Sequence, residues 1–140
     1  MCGIAGIINL SSTFSEGINR EKIYRAYKHL KARGPDNKGI WNDKSSIFLH
    51  TRLKIIDLKN TSSQPMELGN YIICYNGEIY NFKKIKRELV KKGYKFKSSG
   101  DTEVLLVGWI EWREKIVDKI DGMFAFSIWD KREKSLFLAR

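Results

Sequence analysis

The stretch from Gly122 to Trp129 constrains the fold more than any other part of this sequence. Apolar side chains occupy both of its alternating sets of positions, with Phe124 and Phe126 on one set and Met123 and Trp129 on the other. A strand with this pattern is buried on both of its faces. The chain must therefore form a sheet that carries a further layer on each side.

Shorter periodic segments surround this strand and predict the remaining elements. A polar turn at 130–135 leads to another apolar strand at 136–139. Further strands are predicted at 3–9, 39–41, 46–52 and 71–76, and helices at 19–33, at 81–92 and from 101 or 102 onwards. Such a mixed succession predicts sheets covered by helices, an α+β arrangement.

The helix ends follow from capping residues. Asn19 is expected to cap the first helix, Asn81 the second, with Gly93 closing it, and Asp101 or Thr102 the third. The third helix is expected to bury one side, which carries Val104, Leu105, Gly108, Trp109 and Trp112.

Composition excludes several classes of protein. The chain has 140 residues, 42% apolar and 30% charged, a balance typical of one globular domain. No apolar run approaches the ~18–20 residues of a membrane span, and the N-terminus lacks the basic region of a signal peptide. Two cysteines cannot support a disulfide-rich scaffold, and no zinc-ligand spacing is present. We expect one cytoplasmic domain over residues 1–140, with no membrane segment and no metal.

The charge is strongly basic, with 26 Lys+Arg against 16 Asp+Glu and a formal net charge of +10. Many of the basic residues fall in the helix predicted at 81–92. A charge run on a helix usually forms a solvated face, and this interpretation is preferred to nucleic-acid binding. A basic binding module remains an alternative, distinguished by salt-dependent binding of nucleic acid.

Cys2 follows the initiator Met1 directly. Methionine removal requires a small second residue, and Cys qualifies. The product carries a thiol beside a free α-amine, which titrates near pH 8 and can act as a base next to the nucleophile. The alternative is a small apolar residue that starts a buried strand. Cys74 has no assigned role, and the alternation of its strand predicts an ordinary buried thiol.

Two further constellations have a chemical as well as a structural interpretation. Asn76-Gly77 is first of all a turn signal, but an Asn amide beside a Gly backbone N–H also makes a two-donor oxyanion hole. Arg52 can bind an α-carboxylate and Asp101, helped by Glu78, an α-ammonium. Their structural alternatives are a surface ion pair for Arg52 and a helix cap for Asp101.

Seven segments together resemble one known family. The sequence is similar to the N-terminal glutaminase half of glutamine-hydrolysing asparagine synthetase, a class II glutamine amidotransferase of the N-terminal-nucleophile (Ntn) hydrolase fold. The matching segments include Arg33-Gly34-Pro35-Asp36 and occur in order at 1–6, 33–36, 52–57, 64–66, 76–81, 101–106 and 122–126. The resemblance implies an αββα sandwich of two mostly antiparallel sheets covered by helices.

The resemblance also implies roles for single residues. Cys2 is the nucleophile that attacks the carboxamide of glutamine, and Asn76 with the Gly77 N–H stabilises the oxyanion. The residues implied in glutamine binding are Arg52, Leu53, Ile55, Glu78 and Asp101. Hydrolysis to glutamate and ammonia follows, and a chain that retains Met1 is expected to be inactive.

The length departs from the family. The resemblance implies that the C-terminal part of the sandwich and a synthetase domain are missing. ATP and Mg²⁺ are expected only on that absent domain. No cofactor is expected on this chain. The expected partner is that domain or subunit, and a homodimer is left open. Two alternatives also stay open: another carboxyl acceptor in place of aspartate, such as a surface-polysaccharide sugar acid, and an inactive fragment.

Overall fold

The computed structural model describes residues 2–9, 16–54 and 60–140. Two short 3-10 turns, Asn60–Ser62 and Arg113–Ile116, accompany the regular elements. In chain order, the elements are β1 (Gly3–Ile8), α1 (Glu16–Leu30), β2 (Asn37–Asn42), β3 (Ser46–Arg52), β4 (Met66–Leu68), β5 (Tyr71–Ile79), α2 (Phe82–Lys91), α3 (Asp101–Trp112), β6 (Gly122–Asp130) and β7 (Ser135–Ala139).

The strands form two antiparallel sheets. One has the order β1-β3-β2 and the other the order β4-β5-β6-β7. Phe48 of the first sheet packs against Ile72 and Trp129 of the second, so the two sheets face each other. The αββα α+β fold predicted from the resemblance is confirmed by the helices on the two outer faces.

Each outer face is covered by its own helices. Helix α1 places Ile23 against Ile47 and Leu49 of β3. Helices α2 and α3 cover the other sheet, where Leu89 and Leu105 are fully buried. Removing a side chain of this size from water contributes about 1.5–3 kcal/mol. With these helices outside and packed side chains between the sheets, each sheet has a hydrophobic layer on both of its faces.

Strand β6 has the two-sided burial that its sequence predicts only from Phe126 onwards, since Met123 near its start is 69% exposed. Phe126 and Ile128 pack toward the helices, whereas Trp129 packs between the sheets. The other strands were only partly predicted, since β4 was missed, β5 runs on to Ile79 and β2 is longer at both ends.

Helix α3 is more buried than its pattern predicts. Every residue from Asp101 to Trp109 is buried, not one side alone. The reason is that α3 packs against α2, β4, β5 and the turn at Arg113–Ile116. A Cβ at Gly108 would lie 2.6 Å from Ile116 Cδ1, so the small residue lets the turn fold back onto the helix.

The predicted caps are only partly confirmed. Helix α1 begins at Glu16, so Asn19 lies inside it and the prediction is wrong there. Asn81 holds the N-cap position of α2 as predicted, but its side chain donates to Lys119 O and accepts from Asp121 N and makes no capping hydrogen bond. Asp101 is the first residue of α3, after Gly100, and makes no cap either. Gly93 closes α2 as predicted, with φ of 96°.

Across the three described ranges, no helix has the length and apolar character needed to cross a bilayer.

Candidate active site

A cavity of about 270 Å³ brings the candidate residues together. It opens where the ends of β3 and β5 meet Cys2 and the start of α3. Its volume is near the lower end for small-molecule sites, which suits a small ligand. Seven of the eight residues singled out from the sequence line it: Cys2, Arg52, Leu53, Asn76, Gly77, Glu78 and Asp101. Ile55, like Met1, lies outside the described residues.

Cys2 is half-buried at the wall of this cavity, just before β1. Its sulfur accepts from Leu53 N at 3.4 Å and lies 3.7 Å from Leu53 O. Arg33 Nε donates to Cys2 O at 3.2 Å, which fixes the backbone on the other side. A Cβ at the next residue, Gly3, would lie 2.6 Å from Thr51 Oγ1. The small residue therefore lets the thiol approach the end of β3.

The loop at 33–36 supports that same strand end. Asp36 N donates to Arg52 O at 3.0 Å, and Lys54 N donates to Asp36 Oδ2 at 2.8 Å. A Cβ at Gly34 would lie 2.2 Å from Thr51 O. Glycine is required here because the loop backbone lies directly on the backbone of β3.

Asn76-Gly77 does not form the turn that its local sequence favours. Both residues lie inside β5, paired with Ala125 and Phe124 of β6. Gly77 has φ of 155°, and a Cβ on it would lie 2.2 Å from Met123 O. Glycine is therefore needed for the close approach of β6, and the turn interpretation is wrong.

The direction of the Gly77 N–H follows from strand geometry. Tyr75 N donates to the side chain of Gln64 at 2.6 Å, on the side of β5 away from β6. Backbone N–H groups two residues apart point to the same side of a strand. The Gly77 N–H therefore points away from β6, at the edge where Gly77 lines the cavity.

The two charged residues reach the cavity from different layers. Arg52 ends β3 and Asp101 begins α3, and both side chains are buried, at 6% and 5% exposure. Asp101 Oδ2 accepts from Tyr75 Oη at 2.7 Å and from Ile79 N at 3.1 Å. Glu78 is exposed at the rim. A buried cation and a buried anion in one small cavity suit a ligand that carries both charges.

Sequence reasoning missed several residues of this cavity, among them Gln64, Tyr75 and Thr102. Burial raises the pKa of Tyr75, and the Asp101 carboxylate raises it further, so the hydroxyl stays protonated and donates. Gln64 lies in segment 64–66, one of the seven that resemble the known family, and this match is the signal that could have identified it. Tyr75 directly precedes Asn76, but it lies in a segment that the sequence predicts only as an ordinary buried strand.

Cys74 differs from Cys2 in surroundings. It is 1% exposed between the sheets, and burial raises the pKa of its thiol to about 12. The prediction of an ordinary buried thiol is confirmed.

Within the described ranges, no three His, Cys, Asp or Glu side chains lie close enough together to hold a metal ion.

Known proteins are similar to the chain over its whole length. Residues 1–140 match the family model described as a glutamine amidotransferase domain. Asparagine synthetase (glutamine-hydrolyzing) 3 of Bacillus subtilis is 38% identical over 144 residues, which cover all of this chain and 23% of the relative. Asparagine synthetase (glutamine-hydrolyzing) 1 of the same organism is 39% identical over 142 residues, with 100% and 22% covered. Asparagine synthetase (glutamine-hydrolyzing) 2 of Oryza sativa is 36% identical over 142 residues, with 100% and 23% covered. The chain thus spans about a quarter of the length of these curated relatives.

Proposed function

Because the chain belongs to the glutamine amidotransferase domain family, we propose that it hydrolyses glutamine to glutamate and ammonia with Cys2 as its nucleophile. Removal of Met1 is part of the proposal, since it turns the nitrogen of Cys2 from an amide into an amine that can accept a proton.

One observation carries the proposal. A single small cavity is lined by a half-buried thiol, an Asn side chain beside a Gly backbone N–H, and two buried side chains of opposite charge. These are the groups that an amino acid with a side-chain carboxamide requires: Arg52 for its α-carboxylate and Asp101 for its α-ammonium, with Glu78 at the rim and Leu53 beside them. A role for Ile55 stays part of the proposal on the resemblance alone.

The first half of the reaction forms a thioester. The Cys2 thiol gives its proton to the α-amine, and the sulfur attacks the carboxamide carbon. The carbonyl oxygen becomes an oxyanion, which Asn76 Nδ2 and the Gly77 N–H stabilise. Loss of one such donor typically costs about 100- to 1000-fold in rate. The C–N bond then breaks, and the nitrogen leaves as ammonia with the proton held by the α-amine.

The second half releases glutamate. Water gives a proton to the α-amine and attacks the thioester carbon, and the same two donors stabilise the second oxyanion. The C–S bond breaks, and the sulfur recovers its proton from the amine. Every proton that leaves or returns to the sulfur moves through the Cys2 amine, and the proton of the newly formed carboxyl group passes to ammonia or water.

The ammonia has a proposed destination. The relatives are named asparagine synthetases, so we place its use in the amidation of aspartate on a synthetase domain. ATP and Mg²⁺ belong to that domain in this proposal, and none of the steps above passes through them.

An assay of glutamine hydrolysis with matched cysteine variants tests the proposal. We expect the chain freed of Met1 to form glutamate and ammonia in equal amounts and Cys2→Ala to form neither. Cys74→Ala is the control, because it removes the other thiol, which lies outside the cavity. Equal loss of activity in both variants, or none in Cys2→Ala, would contradict the proposal.

A further inference from the structure

His50 is a fully buried polar residue of β3 that has no part in the mechanism above. It has 0% exposure, and its Nε2 lies 3.0 Å from Tyr75 O. Because a carbonyl oxygen can only accept, Nε2 carries the proton and donates it. Nδ1 has no hydrogen-bond partner among the described residues. The polar contact of this imidazole is thus the carbonyl that directly precedes Asn76.

Gln64 makes the complementary contact to the same residue. The β4–β5 register, in which Met66 faces Ile73, places residue 64 opposite Tyr75. Strand β4 begins only at Met66, however, so the backbone of residue 64 does not pair with Tyr75. The Gln64 side chain accepts the hydrogen bond of the Tyr75 N–H in its place. Its Oε1 accepts from Tyr75 N at 2.6 Å, and its Nε2 donates to Thr102 Oγ1 at 3.3 Å. Gln64 is 7% exposed, so this contact is shielded from water.

Two side chains therefore hold both backbone groups of Tyr75 at the point where β4 no longer pairs with β5. Directly beyond this point lie the Asn76 amide and the Gly77 N–H. A strand edge without partners is free to shift, and a donor displaced by about 1 Å can cost about 100-fold in rate.

We propose that His50 and Gln64 are positioning residues that hold the N–H and C=O of Tyr75 and thereby fix Asn76 and Gly77 as an oxyanion hole. The inference rests on the proposed function, since it concerns the same site. Burial lowers the pKa of His50 to about 4, so the imidazole is neutral near neutral pH and its single proton stays on the nitrogen that faces Tyr75 O.

The test compares His50→Leu, His50→Gln and Gln64→Met in glutamine hydrolysis by the full chain. We expect His50→Leu and Gln64→Met to lower kcat about 10- to 100-fold, with KM for glutamine within about twofold, because Arg52 and Asp101 still bind the α-groups. His50→Gln keeps an N–H donor within reach of Tyr75 O, and we therefore expect it to keep most of the wild-type kcat that His50→Leu loses.

Ser46→Ala is the matched control. Ser46 is also fully buried on β3 and donates one hydrogen bond, to Asp43 Oδ1 at 2.9 Å, at the far end of the strand. We expect this variant to lose stability and keep its kcat. If it loses as much kcat as His50→Leu, the effect is one of stability and the inference is wrong.

A double-mutant cycle with Asn76→Ala separates positioning from general damage. We expect His50→Leu to cost much less in the Asn76→Ala background, since the donor that it positions is already gone. Additive losses would overturn the inference. An inactive wild-type chain would instead overturn the proposed function, whereas an active one whose kcat is unchanged by His50→Leu and Gln64→Met would overturn the inference alone.

Discussion

Tyr75 connects the two parts of the proposed site. Its hydroxyl donates to Asp101, which we propose binds the α-ammonium of glutamine, while its backbone is held by Gln64 and His50 beside Asn76. Substrate binding and oxyanion stabilisation thus depend on one residue through different atoms. A change in the side chain alone should separate the two effects.

We expect Tyr75→Phe to raise KM for glutamine about tenfold and to leave kcat within about twofold. Asp101 then keeps the Ile79 N–H and loses one hydrogen bond of a kind worth about 1.5–3 kcal/mol. Steady-state kinetics measure both constants. Tyr94→Phe is the control, because Tyr94 Oη also donates to a carboxylate, that of Glu111, away from the cavity. A large fall in kcat at unchanged KM would contradict this assignment.

Single residues were predicted unevenly from the sequence. Cys2, Arg52 and Asp101 could be singled out because they occur together: alone each has a good structural explanation, but a thiol after Met1 and two opposite charges suit one ligand. His50 gave no such signal, and Gln64 gave only its place in a matching segment. Their contacts to Tyr75 span 25 and 11 residues, and only the fold brings them together.

At the level of elements, the loop at 33–36 shows how a turn supports the cavity. Its Gly34 lies against Thr51 O, and Asp36 bonds to the backbone on both sides of Leu53. The loop thereby places the Leu53 backbone that contacts the Cys2 sulfur.

We expect Gly34→Ala to destabilise the chain by about 3 kcal/mol, because its Cβ would meet backbone that cannot give way. Gly69→Ala is the control. Gly69 has φ of 59° with nothing within 4 Å of an added Cβ, so only the left-handed backbone is penalised, by about 1 kcal/mol. Urea unfolding measures both, and equal costs would show that the 33–36 loop is not tightly packed.

Local sequence signals failed where tertiary contacts overrode them. Asn76-Gly77 favours a turn, yet β6 pairs alongside it because Gly77 and Gly122 let the two backbones approach. A Cβ at Gly122 would lie 2.1 Å from Glu78 O. The local sequence predicts Asp101 as a helix cap, yet its carboxylate accepts hydrogen bonds from Tyr75 and Ile79 instead.

At the level of the whole molecule, the layers could be predicted and the strand order could not. The two-sided pattern of β6 required a layer on each face, and the resemblance supplied the αββα arrangement. The orders β1-β3-β2 and β4-β5-β6-β7 depend on pairing between distant segments, which periodicity does not encode. The same layering buries His50 between the sheets, which makes stability depend on pH.

We expect the free energy of unfolding to fall by about 2 kcal/mol between about pH 7.5 and pH 5. The pKa of His50 is about 4 in the folded chain against 6.5 for an ordinary histidine, because burial disfavours the charged ring. The unfolded chain therefore binds a proton first as the pH falls, so stability present above pH 6.5 is lost toward pH 4.

Urea unfolding at several pH values measures this loss. We expect His50→Gln to flatten the dependence in this window and His29→Gln, which changes the exposed histidine, to leave it intact. A dependence that persists in His50→Gln would show that another group is responsible.

The central claim is that Cys2, freed of Met1, is the nucleophile for glutamine. Mass spectrometry of the purified chain with and without the glutamine analogue 6-diazo-5-oxo-norleucine tests it most directly, because one spectrum reports both methionine removal and labelling. We predict a chain lighter by one methionine that gains a single adduct on Cys2, none on Cys74, and less of it when glutamine is present. A folded chain without Met1 that stays unlabelled at Cys2 would contradict the claim.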